Sequence, residues 1–261
     1  KLGQDLQDFM ENKGSDPYFF GTIIISCQEN DTQLSLIDGQ QRTTTFILLF
    51  KALLMRLNIE ISRTESDRDS DNLRYALAKK RDDAIRILYK IEDNDILEFL
   101  NNFDNVEKVK ILDNNSINEL YRSEIEVILN GSDFSSIEKN VEKIRFKKKD
   151  NKYTNYFKNL KFFYNCLSSL STSELNSFAE CILNKAEIIE IRSWNIEQAI
   201  AMFNSLNSDG MPLLDSDIIS AKLYSYSAND REDFNLKWVE LKEIISKLEQ
   251  KRIVNIDSIL L

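Results

Sequence analysis

Across Leu36-Ile37-Asp38-Gly39-Gln40-Gln41-Arg42-Thr43-Thr44-Thr45-Phe46 the hydrophobic pattern of this chain changes period. Upstream, Tyr18 to Ser26 contains the run Thr22-Ile23-Ile24-Ile25, and Gln33 to Ile37 alternates apolar and polar residues. β-Branched richness and alternation are strand signals, so the two segments predict a hairpin around a polar turn at Gln28 to Thr32. Downstream, from Thr43, apolar residues fall at Phe46, Ile47, Leu49, Phe50, Leu53, Leu54 and Leu57. That spacing gives a helix with one wide apolar face. Burying such a face contributes on the order of 10 kcal/mol before chain entropy opposes it. Strand, short loop, helix is therefore the expected local order, with the helix beginning near Thr43.

Working outward, Leu2 to Glu11 reads as a helix and Glu60 to Asn72 as a charged, Ser-rich linker. Leu73 to Gly131 mixes short apolar runs with Asn/Asp clusters and predicts several helices, one capped by Asn94 or Asp95 and one by Ser116. Ser173 to Lys185 predicts a helix capped at Ser171 or Ser173. Ala186 to Trp194 predicts a strand, and Ile196 to Leu206 a helix. Asp215 to Tyr226 and Glu232 to Arg252 predict two more helices. The expected class is α+β and helix-rich: a small mixed sheet with extensive helical decoration. Residues 1–58 would form the first part of the core, 59–186 a helical insertion, and 187–261 the second part with closing helices. Trp194 and Trp238 are expected to be packing residues.

Composition narrows the chemistry. The chain has 261 residues, with 6 Gly and 2 Pro, too few for the many tight turns of a β-sandwich. Its net charge of −9 works against broad, non-specific DNA binding. The 3 Cys (Cys27, Cys166, Cys181) are odd in number and none is spaced CxxC. That pattern favours small residues in or near the core over a disulfide framework or zinc site, and fits a reducing cytoplasm. With 0 His, no Ser-His-Asp or Cys-His pair, HExxH site or His-based nuclease centre can exist here. No stretch approaches the ~18 apolar residues of a membrane span. The first residue is Lys1, inside an amphipathic pattern, so a segment of a longer protein is expected.

Three polar stretches are candidate sites. In Asp38 to Thr43, a strand end meets a helix start, where N–H groups lack intrahelical partners and a partial positive charge accumulates. Gly39 permits a sharp turn and close approach to a ligand. Arg42 carries a planar fork of donors suited to phosphate oxygens. Asp38 can hold Mg²⁺ or position a water, because Mg²⁺ favours a carboxylate plus substrate phosphates. A plain strand-to-helix turn capped by Asp38 or Thr43 remains the simpler alternative. The second stretch runs Phe203 to Asp217, where Asn207, Asp209, Asp215 and Asp217 surround a turn marked by Gly210 and Pro212. These residues either cap the next helix or face a ligand. The third, Arg145 to Lys161, holds Lys147, Lys148, Lys149 and Lys152 among aromatics. It reads either as a nucleic-acid patch or as a solvated loop entering a helix whose aromatics are core.

Tyr18 to Leu54 and Ala199 to Ile219, with Asn155-Tyr156-Phe157 between them, resemble the N-terminal domain family of GmrSD-type, modification-dependent restriction endonucleases, which carries a DGQQR motif. The resemblance implies a ParB/sulfiredoxin-like core whose Gly39 to Arg42 loop faces a nucleotide. It implies binding and hydrolysis of a nucleoside triphosphate with Mg²⁺, as the regulatory part of a bacterial, cytoplasmic phage-defence system. Asp38 and Arg42 would act on the triphosphate. Gly39, Gln40, Gln41 and Thr43 would cradle it, and Asn207, Gly210 and Asp217 would close the site. The partner would be a C-terminal or separate His-containing nuclease domain, which the His count leaves out of this segment. The alternative use of the same core is a non-catalytic DNA- or protein-binding module, with the Lys147–Lys152 stretch as its contact.

Overall fold

A computed structural model describes residues 18–27, 34–64, 68–112, 119–144, 155–206, 219, 223 and 231–249. The protein is helix-rich α+β, with one small mixed sheet. It divides into two compact units, residues 1–20 with 41–187 and residues 21–40 with 188–261.

The first unit is helical. Its centre is α1 (Gln40–Arg63), in which every residue from Phe46 to Leu57 is buried. A helix apolar on nearly all sides belongs inside a core rather than at its edge. Around it lie α2 (Arg68–Leu88), α3 (Ile96–Asn101), α4 (Glu119–Asn130), α5 (Phe134–Lys143), α6 (Asn155–Ser168) and α7 (Thr172–Asn184). They share one cluster, which includes Leu53, Leu57, Leu77, Ile85, Ile128, Leu160 and Leu175. Polar ties sit on its rim. Lys80 of α2 pairs with Glu180 of α7 at 3.0 Å, and Lys161 of α6 with Glu138 of α5 at 2.8 Å. Phe134 stacks on Tyr164 with ring centroids 4.3 Å apart.

The expected linker at Glu60 to Asn72 is mostly helix. α1 continues to Arg63 and α2 starts at Arg68. Glu60 is the reason at the first end. It is buried, accepts from Arg56 at 2.7 Å and from Thr172 at 3.0 Å, and so holds the last turn of α1 in place. The charged residues of α2 read as linker because they form a solvated helix face: Asp71, Asn72 and Arg74 are exposed. Asp95 precedes α3 but its side chain makes no capping bond, since Asp93 to Asp95 form a 3₁₀ turn of their own. Ser171 does cap α7, in a reciprocal box with Glu174.

The second unit holds the sheet, in the order β2-β1-β3, with β1 at Tyr18–Ser26, β2 at Ser35–Asp38 and β3 at Ala186–Ser193. β1 and β2 pair antiparallel, and Ile24 lies opposite Asp38 while Ile25 lies opposite Leu36. Ile37 is thus one extra residue in β2, a bulge that turns the strand just before Gly39. The unit's helices whose bounds are described are α8 (Ile196–Leu206) and α9 (Arg231–Glu249). α8 packs along β2, and Ala199 and Phe203 cover Ile24, Ile37 and Ile191. Trp194, expected to pack, is 70 % exposed. It stands just past the end of β3, where no described element covers it. Trp238 stacks on Phe234 at 5.8 Å. Among the cysteines, Cys181 is buried and Cys27 and Cys166 are half-buried. The expected helices at Leu2–Glu11 and Asp215–Tyr226 lie wholly or mostly outside the described residues.

Candidate functional site

β2 ends at Asp38, and α1 begins at Gln40, three residues before the expected start. Gly39 alone makes the turn. Its φ of 90° lies where side-chain-bearing residues are strained, and a Cβ there would sit 2.6 Å from Cγ2 of Ile23. Glycine is therefore required twice, by torsion and by space. The Gln-Gln-Arg string is thus the first turn of a 24-residue helix rather than a loop. Glutamine and arginine are good helix formers, which explains the early start.

The polar side chains of this turn divide their work. Gln40 folds back, its Nε2 donating to the Leu36 carbonyl of β2 at 3.3 Å. Gln41 is exposed, and its carbonyl accepts from Thr45 Oγ1 at 2.7 Å. Asp38, Gly39, Arg42, Thr43 and Thr44 are half-buried. The first turn carries no acidic residue. Asp and Glu are favoured there, because negative charge complements the positive end of the helix dipole. Here Arg42 adds a cation to that end instead. The helix start thus carries one cation, Arg42, with the carboxylate of Asp38 one residue before the turn.

Asp38 provides one carboxylate. Among the described residues no group of three or more His, Cys, Asp and Glu could hold a metal. A Mg²⁺ at Asp38 would consequently take most of its ligands from phosphate and water, a manner of binding that this hard cation commonly uses. Asn207, Gly210, Asp217, Lys147, Lys148, Lys149 and Lys152 lie outside the described residues. Within the described part of the basic stretch, Tyr156 and Phe157 pack against the helical core. The backbone N–H of Phe157 donates to buried Glu124 at 3.0 Å, and burial pushes the Glu124 carboxyl above its usual range.

A second polar centre escaped the sequence reading. Lys51, in the middle of α1, is fully buried. Its Nζ donates to the Gly131 carbonyl at 2.7 Å, to the Leu129 carbonyl at 3.1 Å and to Tyr89 Oη at 3.1 Å. It also lies 4.8 Å from the Phe103 ring centre. Those two carbonyls close the C-terminal end of α4, where a cation is favoured. Burial, reinforced by Lys108 and opposed by Asp104, pushes the Lys51 amine down to about 7. A pocket of about 220 Å³ opens beside it, lined by Asn58, Asn101, Phe103, Asp104 and Ser132 among others. The available signal was Lys51 standing three residues before Leu54 and four after Ile47, on the apolar face.

Among the described residues no helix is long and apolar enough to cross a membrane. The family model described as "GmrSD restriction endonuclease, N-terminal domain" matches residues 1–224. No curated protein and no solved structure matches the chain.

Proposed function

The chain belongs to the GmrSD N-terminal domain family of restriction endonucleases, and from that premise we propose that its Asp38–Thr43 segment binds a nucleoside triphosphate to regulate a phage-defence restriction system. The observation that carries this reading is the helix start: a glycine turn, no acid in the first turn, and Arg42 at its third position. An anion placed there meets N–H groups that have no intrahelical acceptor, at the positive end of the helix dipole. A phosphate chain is the anion that Arg42 suits best, through its planar, paired donors. Gln41 and Thr43 add polar groups beside it, while Gln40 holds the turn against β2. Asp38 is the one carboxylate of the string, and orients a water or shares Mg²⁺ with the phosphates. Asn207, Gly210 and Asp217 complete the site in this reading. Hydrolysis would set the state of a His-containing nuclease domain acting on DNA.

Isothermal titration of ATP, GTP, CTP and UTP, each with Mg²⁺, tests it directly. At least one nucleotide should bind, and Arg42→Ala should weaken that binding ~10- to 100-fold, the worth of a charge-assisted hydrogen bond. Circular dichroism of the variant should match the parent. No binding by any of the four, or equal binding by parent and variant, would refute the assignment.

A further inference from the structure

β3 is an edge strand. β1 occupies one side of it, and among the described residues no strand occupies the other. Natural edges are usually shortened or guarded by lysine, proline or inward charge. β3 has eight residues with neither Lys nor Pro, and Ile188 and Ile189 are 42 % and 53 % exposed. Ile191 points to the covered face, against the cluster that α8 closes. By strand alternation, Ile188, Glu190 and Arg192 share the opposite face, where Glu190 and Arg192 form an ion pair within the strand.

We propose that a second copy of this chain pairs antiparallel with β3 about a two-fold axis at Ile191, extending the sheet to six strands. A two-fold axis perpendicular to the sheet keeps the covered faces of both copies on one side, so residues of like parity must lie opposite each other. With the axis at Ile191, Glu190 of each copy faces Arg192 of the other, a favourable cross-strand pair that the symmetry doubles. Moving the axis to Glu190 would set Glu190 against its own copy. Moving it to Ile189 would put Ile188 against Glu190. The charge order of β3 therefore selects one register.

Sedimentation equilibrium of the full chain tests the proposal with two single variants, Glu190→Arg and Arg192→Glu. The parent should be a dimer. Each variant alone should dimerise ~10-fold more weakly or worse, because its two cross-strand pairs become like-charged. An equimolar mixture of the two should recover a heterodimer of near-parental affinity, since each copy then presents the opposite charge to the other. A variant that had merely misfolded would not be rescued by mixing, so that outcome supports the pairing. A monomeric parent, or a dimer that neither variant weakens, overturns it. Association of the parent with another protein or with nucleic acid in place of itself would also overturn it.

Discussion

Replacing Lys51 by Met should remove from the stability of the protein a pH dependence that identifies the buried amine. In the unfolded chain Lys51 keeps its proton up to about 10.5, and in the folded chain only up to about 7. Between those values the unfolded state binds the extra proton, so the contribution of Lys51 to stability rises with pH. Below about 7 both states are protonated and the full burial cost stands. Methionine fills a similar volume and does not titrate. The stability of the parent relative to the variant should then rise by ~1.4 kcal/mol per pH unit within the window. From pH 7.5 to 9.5 that amounts to roughly 2–3 kcal/mol. On top of it lies a pH-independent loss of ~1–3 kcal/mol for the Gly131 carbonyl, which is part-buried and loses its donor. The Leu129 carbonyl keeps Tyr89 Oη as donor at 2.5 Å, so it adds little. Tyr89, Lys108 and Asp104 are the groups facing the amine, and burial holds the Tyr89 hydroxyl well above its ordinary range, so it stays protonated throughout. Urea unfolding at five pH values measures the gap. A gap that stays constant from pH 7.5 to 9.5 would refute the argument. It would mean that the carbonyls and ring faces keep the ammonium charged despite its burial.

Two further substitutions test the frame around the site. Gly39→Ala should cost about 2–4 kcal/mol, from the positive φ together with the 2.6 Å approach to Ile23. Adding Ile23→Ala should return only the steric part, and an unchanged unfolding midpoint for Gly39→Ala would contradict the turn geometry. Glu60→Ala should cost ~3–5 kcal/mol, because it strands the buried Arg56 guanidinium and removes the acceptor of Thr172. Thermal melting should show a fall of roughly 10 °C, and a fall of only a degree or two would mean that water replaces the carboxylate.

The parts of the fold legible in the sequence were those whose signal is local. Tyr18–Ser26 announced itself through consecutive β-branched residues, and α8 through its 3.6-residue spacing; the structure has both at the expected residues. Of Ser171 and Ser173, the two caps the sequence offers, Ser171 is the one used, in a box with Glu174 that spans only four residues. What stayed hidden depends on partners far along the chain. Lys51 is held by carbonyls about eighty residues away, and Glu60 by a hydroxyl of Thr172. A charged residue whose partner is that distant looks like surface, and this is why the end of α1 was read as linker. Trp194 erred in the other direction. Its size predicts burial, but only neighbouring elements can supply that burial.

At the candidate stretch the sequence suggests one conformation and the structure has another. Crowding of polar residues after a buried strand suggested a loop, and loops are where binding groups usually gather. The helix instead starts at Gln40, which alters what each residue can do. A loop would let both glutamines and Arg42 reach inward together. A helix separates successive residues by about 100° of rotation, so Gln40, Gln41 and Arg42 point in three directions. Gln40 accordingly serves β2 through the Leu36 carbonyl, while Gln41 is exposed. What a helix start supplies in exchange is direction: its first N–H groups all point out along the axis, toward the end where Arg42 adds charge. The three-residue difference in the helix boundary thus adds backbone N–H groups to what an anion would meet at this turn, while Gly39 and Gln40 are committed to the turn itself.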